Sequence, residues 1–221
     1  MYDEKKLSPE SLLKRFSPKF PDSKLARLNL TTSQVSDALN KITGTSGVLS
    51  GIKPLFDKTI IGRAVTVNTA EDDWGTSIKA IDMAKKGEVL VIQVEGDEQA
   101  IWGELASKTA KEKGLMGTII DGALRDVGAI KKLEYPVFSK AIVPNAGSPK
   151  AEGKINIPVT CGNMTVNPQD VVMGDECGVI VIPKEHLSEI IGEALSIKRN
   201  ESNILSKLEK GCSFSDILGL K

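Results

Sequence analysis

The sequence holds a single histidine, His186, and only three cysteines, Cys161, Cys177 and Cys212. One histidine excludes histidine-rich zinc sites and argues against a Ser-His-Asp triad. The cysteines are odd in number, widely spaced and without a C-x-x-C pair, so they read as reduced thiols, and a cytoplasmic location is expected. Metal chemistry here must rest on carboxylates, which favours hard cations such as Mg²⁺ or Mn²⁺. Net charge is also missing: 29 Lys and Arg balance 29 Asp and Glu. No basic excess draws nucleic acid, and no basic amphipathic segment suits a membrane surface. Aromatic residues make up 4% of the chain, which leaves little for base stacking. Apolar runs such as Val89–Val94 are strand-sized, too short to span a bilayer, and Met1–Lys6 lacks the apolar core of a signal peptide. Neither a P-loop nor a dinucleotide fingerprint occurs, and no lysine stands out as a buried Schiff-base former.

What is present suits an α/β domain. The 221 residues are enough for one large core. The expectation is a single domain over 1–221, with a core of about 30–185, an N-terminal arm and a C-terminal helical extension. A short helix is expected near Pro9–Leu13. Thr31–Leu39 reads as an N-capped helix, and Ile60–Val67 as a half-buried strand. From Trp74 the pattern becomes βαβ: helix Trp74–Lys85, strand Val89–Val94, helix Trp102–Lys113 closed by Gly114, and strand Gly117–Ile120 broken by Asp121-Gly122. A helix over Asp126–Leu133 and a strand from Pro136 follow. Residues 143–156 read as a loop, 155–183 as strands and turns in a meander or hairpin layer, and Leu187–Leu195 as a helix. Residues 200–221 read as further short helices.

Two segments carry the chemistry. Gly103-Glu104-Leu105-Ala106 opens a helix just after a buried strand, and Arg125-Asp126 follows the next strand at another helix start. In a parallel sheet both lie at the carboxyl edge, where open α/β sheets bind ligands. A helix N-terminus offers free N–H donors to a carboxylate, and Gly103 permits close approach. Arg125 reads either as a fork for a substrate carboxylate or as a surface arginine paired with Asp126 or Asp121. Asp126 reads either as a helix N-cap or as the ligand of a divalent cation. Glu104 reads either as a proton acceptor or as a first-turn acid complementing the helix dipole. Asp121 and Asp37 are candidates for supporting roles, or plain turn and cap residues. Together these groups suit a small 2-oxo acid held with a cation.

The run Trp102-Gly103-Glu104-Leu105-Ala106, then Asp121-Gly122-Ala123-Leu124-Arg125-Asp126, then Tyr135-Pro136-Val137-Phe138 resembles the RraA-like family. Val35–Leu39, Ile61–Val67, Asn156–Val159 and Pro168–Pro183 extend the likeness over roughly 30–185. That family contains regulators of ribonuclease E activity and class II 4-hydroxy-4-methyl-2-oxoglutarate aldolases. The resemblance implies a three-layer β/β/α sandwich of the swivelling-domain kind, assembled as a homotrimer or a homohexamer. It implies that Gly103, Glu104, Leu105, Ala106 and Arg125 bind the pyruvate moiety and that Asp126 binds Mg²⁺ or Mn²⁺; Arg125 and Glu104 are the candidates for catalysis, although many relatives have aspartate in place of Glu104. Relatives take a further acidic group from a neighbouring subunit's C-terminal region, for which Glu185, Glu189 and Glu193 are candidates here. The sequence departs from the aldolase signature at Ala129, where an acidic residue is usual. Two functions remain open. One is a divalent-metal lyase releasing pyruvate from oxaloacetate or 4-hydroxy-4-methyl-2-oxoglutarate-type substrates. The other is a non-catalytic regulator that binds a ribonuclease or another protein partner.

Overall fold

Four β-branched segments form the parallel centre: β2 (Ile60–Ala70), β3 (Val89–Glu95), β5 (Gly117–Leu124) and β6 (Val137–Ile142). Parallel pairing needs crossovers, and helices α2 (Gly75–Met83), α3 (Glu104–Lys113) and α4 (Val127–Leu133) supply them. The computed structural model describes residues 25–220, so the helix expected near Pro9–Leu13 lies outside the described residues. Short strands complete the set: β1 (Lys53–Pro54), β4 (Ala100–Trp102) and β7 (Lys154–Ile155). Two hairpins follow, β8 (Val159–Cys161) with β9 (Met164–Val166), and β10 (Val171–Asp175) with β11 (Gly178–Ile182). The sheet runs β1-β6-β5-β3-β2-β10-β11, with β4 on β5 and β7 on β2, and β8–β9 forms a separate two-stranded sheet.

Alternate residues of the parallel strands serve two cores. Leu90, Ile92 and Ile120 face α2, α3 and α4 together with Ile81, Trp102 and Tyr135. Val89, Val91 and Ile119 face the opposite way, towards Phe138, Val159 and Val172. The sheet curls around this second core until its ends, β1 and β11, touch. Phe138 fills the interior so closely that a Cβ on Gly174 would stand 2.6 Å from its ring. A third core joins β10–β11 to α1 (Thr32–Thr43) and α5 (Leu187–Glu209) through Val35, Leu39, Met173, Ile180 and Ile190. The architecture is therefore α/β with β/β/α layering, and α1 and α5 cover the outer face of the β10–β11 hairpin.

Several local expectations need correction. β2 is not half-buried: helices cover one face and the curled sheet the other, so nearly every residue is inside. β5 does not stop at Asp121-Gly122, because glycine there makes room for a neighbour. A Cβ on Gly122 would lie 2.6 Å from that of Val94. Trp102 ends a strand rather than starting a helix, which begins at Glu104. The C-terminal region is one 23-residue helix followed by the short α6 (Phe214–Leu218), not a set of short helices from 200 onward. The N-cap at Thr31 forms as expected: its hydroxyl accepts from the Gln34 N–H, and the Gln34 side chain accepts from the Thr31 N–H.

Candidate functional site

β4 and β5 run parallel with Trp102 opposite Leu124, and the Arg125 N–H donates to the Trp102 carbonyl at 2.9 Å. The chain therefore leaves the sheet twice at neighbouring points, once as Gly103-Glu104 and once as Arg125-Asp126. Gly103 caps α3 without a side chain, and Asp126 fills that vacancy from the adjacent crossover. The Glu104 N–H donates to Asp126 Oδ2 at 3.1 Å, and Arg125 Nε stands 3.7 Å from the same oxygen. Gly103 is what allows this approach, since a Cβ there would lie 2.5 Å from Asp126 Oδ2. The capping half of the two readings for Asp126 applies to a different helix than expected. Its carboxylate makes no cap bond to α4, although its carbonyl accepts from Ala129 and Ile130. Asp126 also takes a left-handed backbone, φ 62° and ψ 32°, a conformation that costs a non-glycine residue energy and clusters at functional sites.

These residues line a cleft of about 370 Å³, within the range of small-molecule sites. Gly103, Glu104, Leu105, Ala106, Arg125 and Asp126 all contribute to it, joined by Trp74, Ile78, Ala100, Ile101, Trp102 and Ala146. The two aromatic walls are pinned by their indole N–H groups. Trp102 donates to Ser107 Oγ at 2.8 Å, and Trp74 to the Gly147 carbonyl at 3.1 Å. The amides of Glu104, Leu105 and Ala106 precede the first backbone bond of α3, from the Ser107 N–H to the Gly103 carbonyl at 3.0 Å. Glu104 gives its N–H to Asp126, which leaves those of Leu105 and Ala106 as the free donors of this helix N-terminus. Arg125 and Asp126 remain 46% and 41% exposed, open to a ligand.

Other candidates fall outside the cleft. The Asp121 carboxylate accepts from the Gly162 N–H at 2.8 Å and so ties down the β8–β9 turn. Asp37 lies exposed on α1. Glu193 pairs with Lys41 at 2.7 Å and Glu189 with His186 at 3.8 Å, each within the chain. Burial pushes the Cys161 thiol up to about 12, which leaves it inert as a nucleophile.

One organising residue escaped the sequence reading. Asp73 is buried and accepts from Gly75 N, Thr76 N, Thr76 Oγ1, Thr69 Oγ1, Ala151 N and Glu152 N at 2.7–3.3 Å. Burial alone would raise its pKa. The hydrogen bonds from Thr76, Ala151, Glu152 and Thr69 outweigh that and hold it well below the usual carboxylate range. Asp73 thus clamps the loop carrying Ala146 onto the start of α2, which carries Trp74 and Ile78. The available signal was Asp73 itself, two residues before Gly75-Thr76 at a helix start, a cap-like pattern.

Among the described residues no three His, Cys, Asp or Glu side chains stand together to hold a metal unaided. Mg²⁺ and Mn²⁺ do not require that, because one or two carboxylates suffice when water and substrate oxygens fill the remaining positions. The half-exposed Asp126 carboxylate, with Glu104 lining the same cleft, fits a cation held in this way. Among the described residues no helix is long and apolar enough to cross a membrane.

Residues 32–181 match the RraA-like family, described as Aldolase/RraA. An uncharacterized protein of Methanocaldococcus jannaschii is 46% identical over 178 residues, which cover 78% of this chain and 85% of that protein. A Halalkalibacterium halodurans protein provisionally named 4-hydroxy-4-methyl-2-oxoglutarate aldolase is 36% identical, with 75% of this chain and 78% of that one covered. Among solved structures, a Streptomyces coelicolor protein described as an unusual member of the RNase ES inhibitor RraA family superposes with a TM-score of 0.71. It is 26% identical and covers 82% of this chain and 96% of its own. With the family match spanning most of its length, the chain belongs to the RraA-like, Aldolase/RraA family.

Proposed function

We propose that this chain is a divalent-metal-dependent lyase that breaks a carbon–carbon bond in small 2-oxo acids and releases pyruvate. It would act as an oxaloacetate decarboxylase, a 4-hydroxy-4-methyl-2-oxoglutarate-type aldolase, or both. The observation that carries this reading is the convergence of Arg125, Asp126 and the Glu104 amide on one point of an open cleft. Arg125 supplies a guanidinium fork and the first turn of α3 supplies N–H donors, the set that grips a C1 carboxylate and stabilises negative charge developing on the adjacent oxygen. Asp126, with Glu104 beside it, would hold Mg²⁺ or Mn²⁺, whose contribution is Lewis-acid polarisation of the 2-oxo group. Asp126 takes the Glu104 N–H and stands beside Arg125, both of which a substrate carboxylate would use. Substrate and Asp126 therefore compete for Arg125 and the Glu104 amide, and productive binding requires the Asp126 carboxylate to turn away. Loss of CO₂ from oxaloacetate breaks the C3–C4 bond and leaves its electron pair in the pyruvate enolate, which takes a proton at C3. That reaction needs no base in the cleft. Aldol cleavage must also remove the C4 hydroxyl proton, a task that falls to Glu104.

The similarity to the Streptomyces protein, together with Ala129 at the departed signature position, supports a second reading as a regulator that binds a ribonuclease or other protein. One assay separates the two. Pyruvate release from oxaloacetate is measured with Mg²⁺, with Mn²⁺ and with EDTA. The lyase reading expects turnover that EDTA abolishes and that falls steeply in Arg125→Ala and Asp126→Ala. A folded, metal-supplied protein inert on oxaloacetate and 4-hydroxy-4-methyl-2-oxoglutarate would leave the regulator reading.

A further inference from the structure

α3 has no side-chain cap of its own, because Gly103 stands at its N-cap. The Asp126 carboxylate caps it through the Glu104 N–H, and a substrate carboxylate competes for that contact. A second tie holds the same turn from inside the chain. The Trp102 indole N–H donates to Ser107 Oγ at 2.8 Å, and the Ser107 N–H donates to the Gly103 carbonyl at 3.0 Å. Trp102 is 2% exposed and Ser107 is fully buried, so a substrate reaches neither bond. Ala106 and Ala110, on the same buried face of α3, belong to the apolar core. A hydroxyl in such surroundings costs stability unless it is paired, and the indole is what pairs it. The Trp102 carbonyl also accepts the Arg125 N–H at 2.9 Å. One residue therefore grips both halves of the site. Its backbone holds the segment with the guanidinium, and its side chain holds the turn with the amides.

We infer that Ser107 is a positioning residue for the carboxylate of the substrate. By holding the Trp102 indole, it keeps the first-turn amides of α3 in register with Arg125 when the Asp126 carboxylate turns away, and it touches no substrate itself. The inference rests on the lyase reading and concerns how that same site grips its ligand. Two donor groups hold one carboxylate well only at a set spacing, because hydrogen bonds weaken steeply as they lose alignment. Alanine at 107 keeps the backbone bond to Gly103 and suits a helix at least as well as serine. It removes only the side-chain tie, after which the first turn of α3 is free to shift against β4 and Arg125.

The test compares the parent with Ser107→Ala, Trp102→Phe and the double variant. Oxalate is titrated by calorimetry with Mg²⁺ present, well below each melting temperature, so that only folded protein is measured. The Kd for oxalate should rise about tenfold in Ser107→Ala. Ser107→Cys, which weakens the bond without emptying the position, should fall between that variant and the parent. Trp102→Phe also alters the cleft wall, so the double variant carries the comparison. It should bind oxalate as Trp102→Phe alone does, because the two side chains act as one device. A role confined to stability predicts instead a lower melting temperature for Ser107→Ala with the parent's Kd. That result, or losses that add in the double variant, would overturn the inference. Oxaloacetate turnover by the parent is measured alongside. Metal-dependent turnover with an unchanged Kd in Ser107→Ala removes the inference alone. Oxalate binding without turnover removes the lyase reading and leaves Ser107 to be judged by the affinities. A parent that neither binds oxalate nor turns over oxaloacetate removes both.

Discussion

Gly103→Ala isolates the central contact of the site. The Gly103 backbone is extended, φ −165°, so alanine brings no conformational strain of its own. Its methyl group would stand 2.5 Å from Asp126 Oδ2, 3.4 Å from Asp126 Cγ and 3.3 Å from Arg125 Cγ. Such contacts cannot persist, and the carboxylate, at the end of a half-exposed side chain, is the part able to move. The variant then loses the charge-assisted bond from the Glu104 N–H. A buried bond of that kind contributes about 1.5–3 kcal/mol, and exposure here reduces it to roughly 1 kcal/mol. For a chain of this size the melting temperature should fall by about 2–4 °C. The functional loss should be much larger, because the methyl group also fills the approach to the Glu104 amide and Arg125 that a substrate carboxylate needs. Misplacement by about 1 Å at a reacting centre costs on the order of 100-fold. Thermal melts and pyruvate release over a Mg²⁺ titration measure both quantities. A Gly103→Ala protein with the parent's rate and metal dependence would refute the reasoning.

Arg125→Lys keeps the charge but not the planar fork, so it should lose roughly 10-fold or more in kcat/KM on oxaloacetate, and Arg125→Ala more still. Asp73→Ala removes the acceptor of six donors and should destabilise the fold by about 3 kcal/mol in a denaturant titration, while raising KM through the loosened Trp74 wall. Because the Asp73 pKa is held low in the folded chain, its stabilisation is fully present above the unfolded-state value of about 3.9 and is lost as pH falls towards the folded value. Acid titration of stability should therefore be shallower for Asp73→Asn than for the parent. Gly122→Ala, which forces a methyl against Val94, should cost about 1–3 kcal/mol by overpacking, visible as a lowered denaturant midpoint.

The βαβ portion was readable because its signals are local: β-branched runs, Gly114 past a helix, and a capping pattern at Thr31. The meeting of Gly103–Ala106 with Arg125-Asp126 was readable in outline, since both were expected at the carboxyl edge of a parallel sheet, but β4, the short strand beside β5 that delivers Gly103 there, was not expected. Long-range causes were not readable. Asp121-Gly122 looks like a turn, yet Gly122 lies within a strand because Val94 needs the space. Ile60–Val67 alternates weakly, yet both faces are covered because the sheet curls round on itself. Asp73 shows a cap-like pattern before Gly75-Thr76, but two of its six donors, Ala151 and Glu152, are far away in sequence, so its neighbourhood announced a cap and not the clamp between two segments. The capping role of Asp126 was anticipated for the wrong helix, because capping a neighbour requires knowing which crossovers are adjacent.

The most direct test is anomalous scattering from crystals grown with Mn²⁺ and oxalate, a two-carbon stand-in for the pyruvate enolate. The account predicts a Mn²⁺ peak about 2.0–2.2 Å from the Asp126 carboxylate, with oxalate against Arg125 and the Glu104 amide and Asp126 turned off that amide. A fully loaded crystal with the metal elsewhere, or with oxalate away from Arg125, would contradict it.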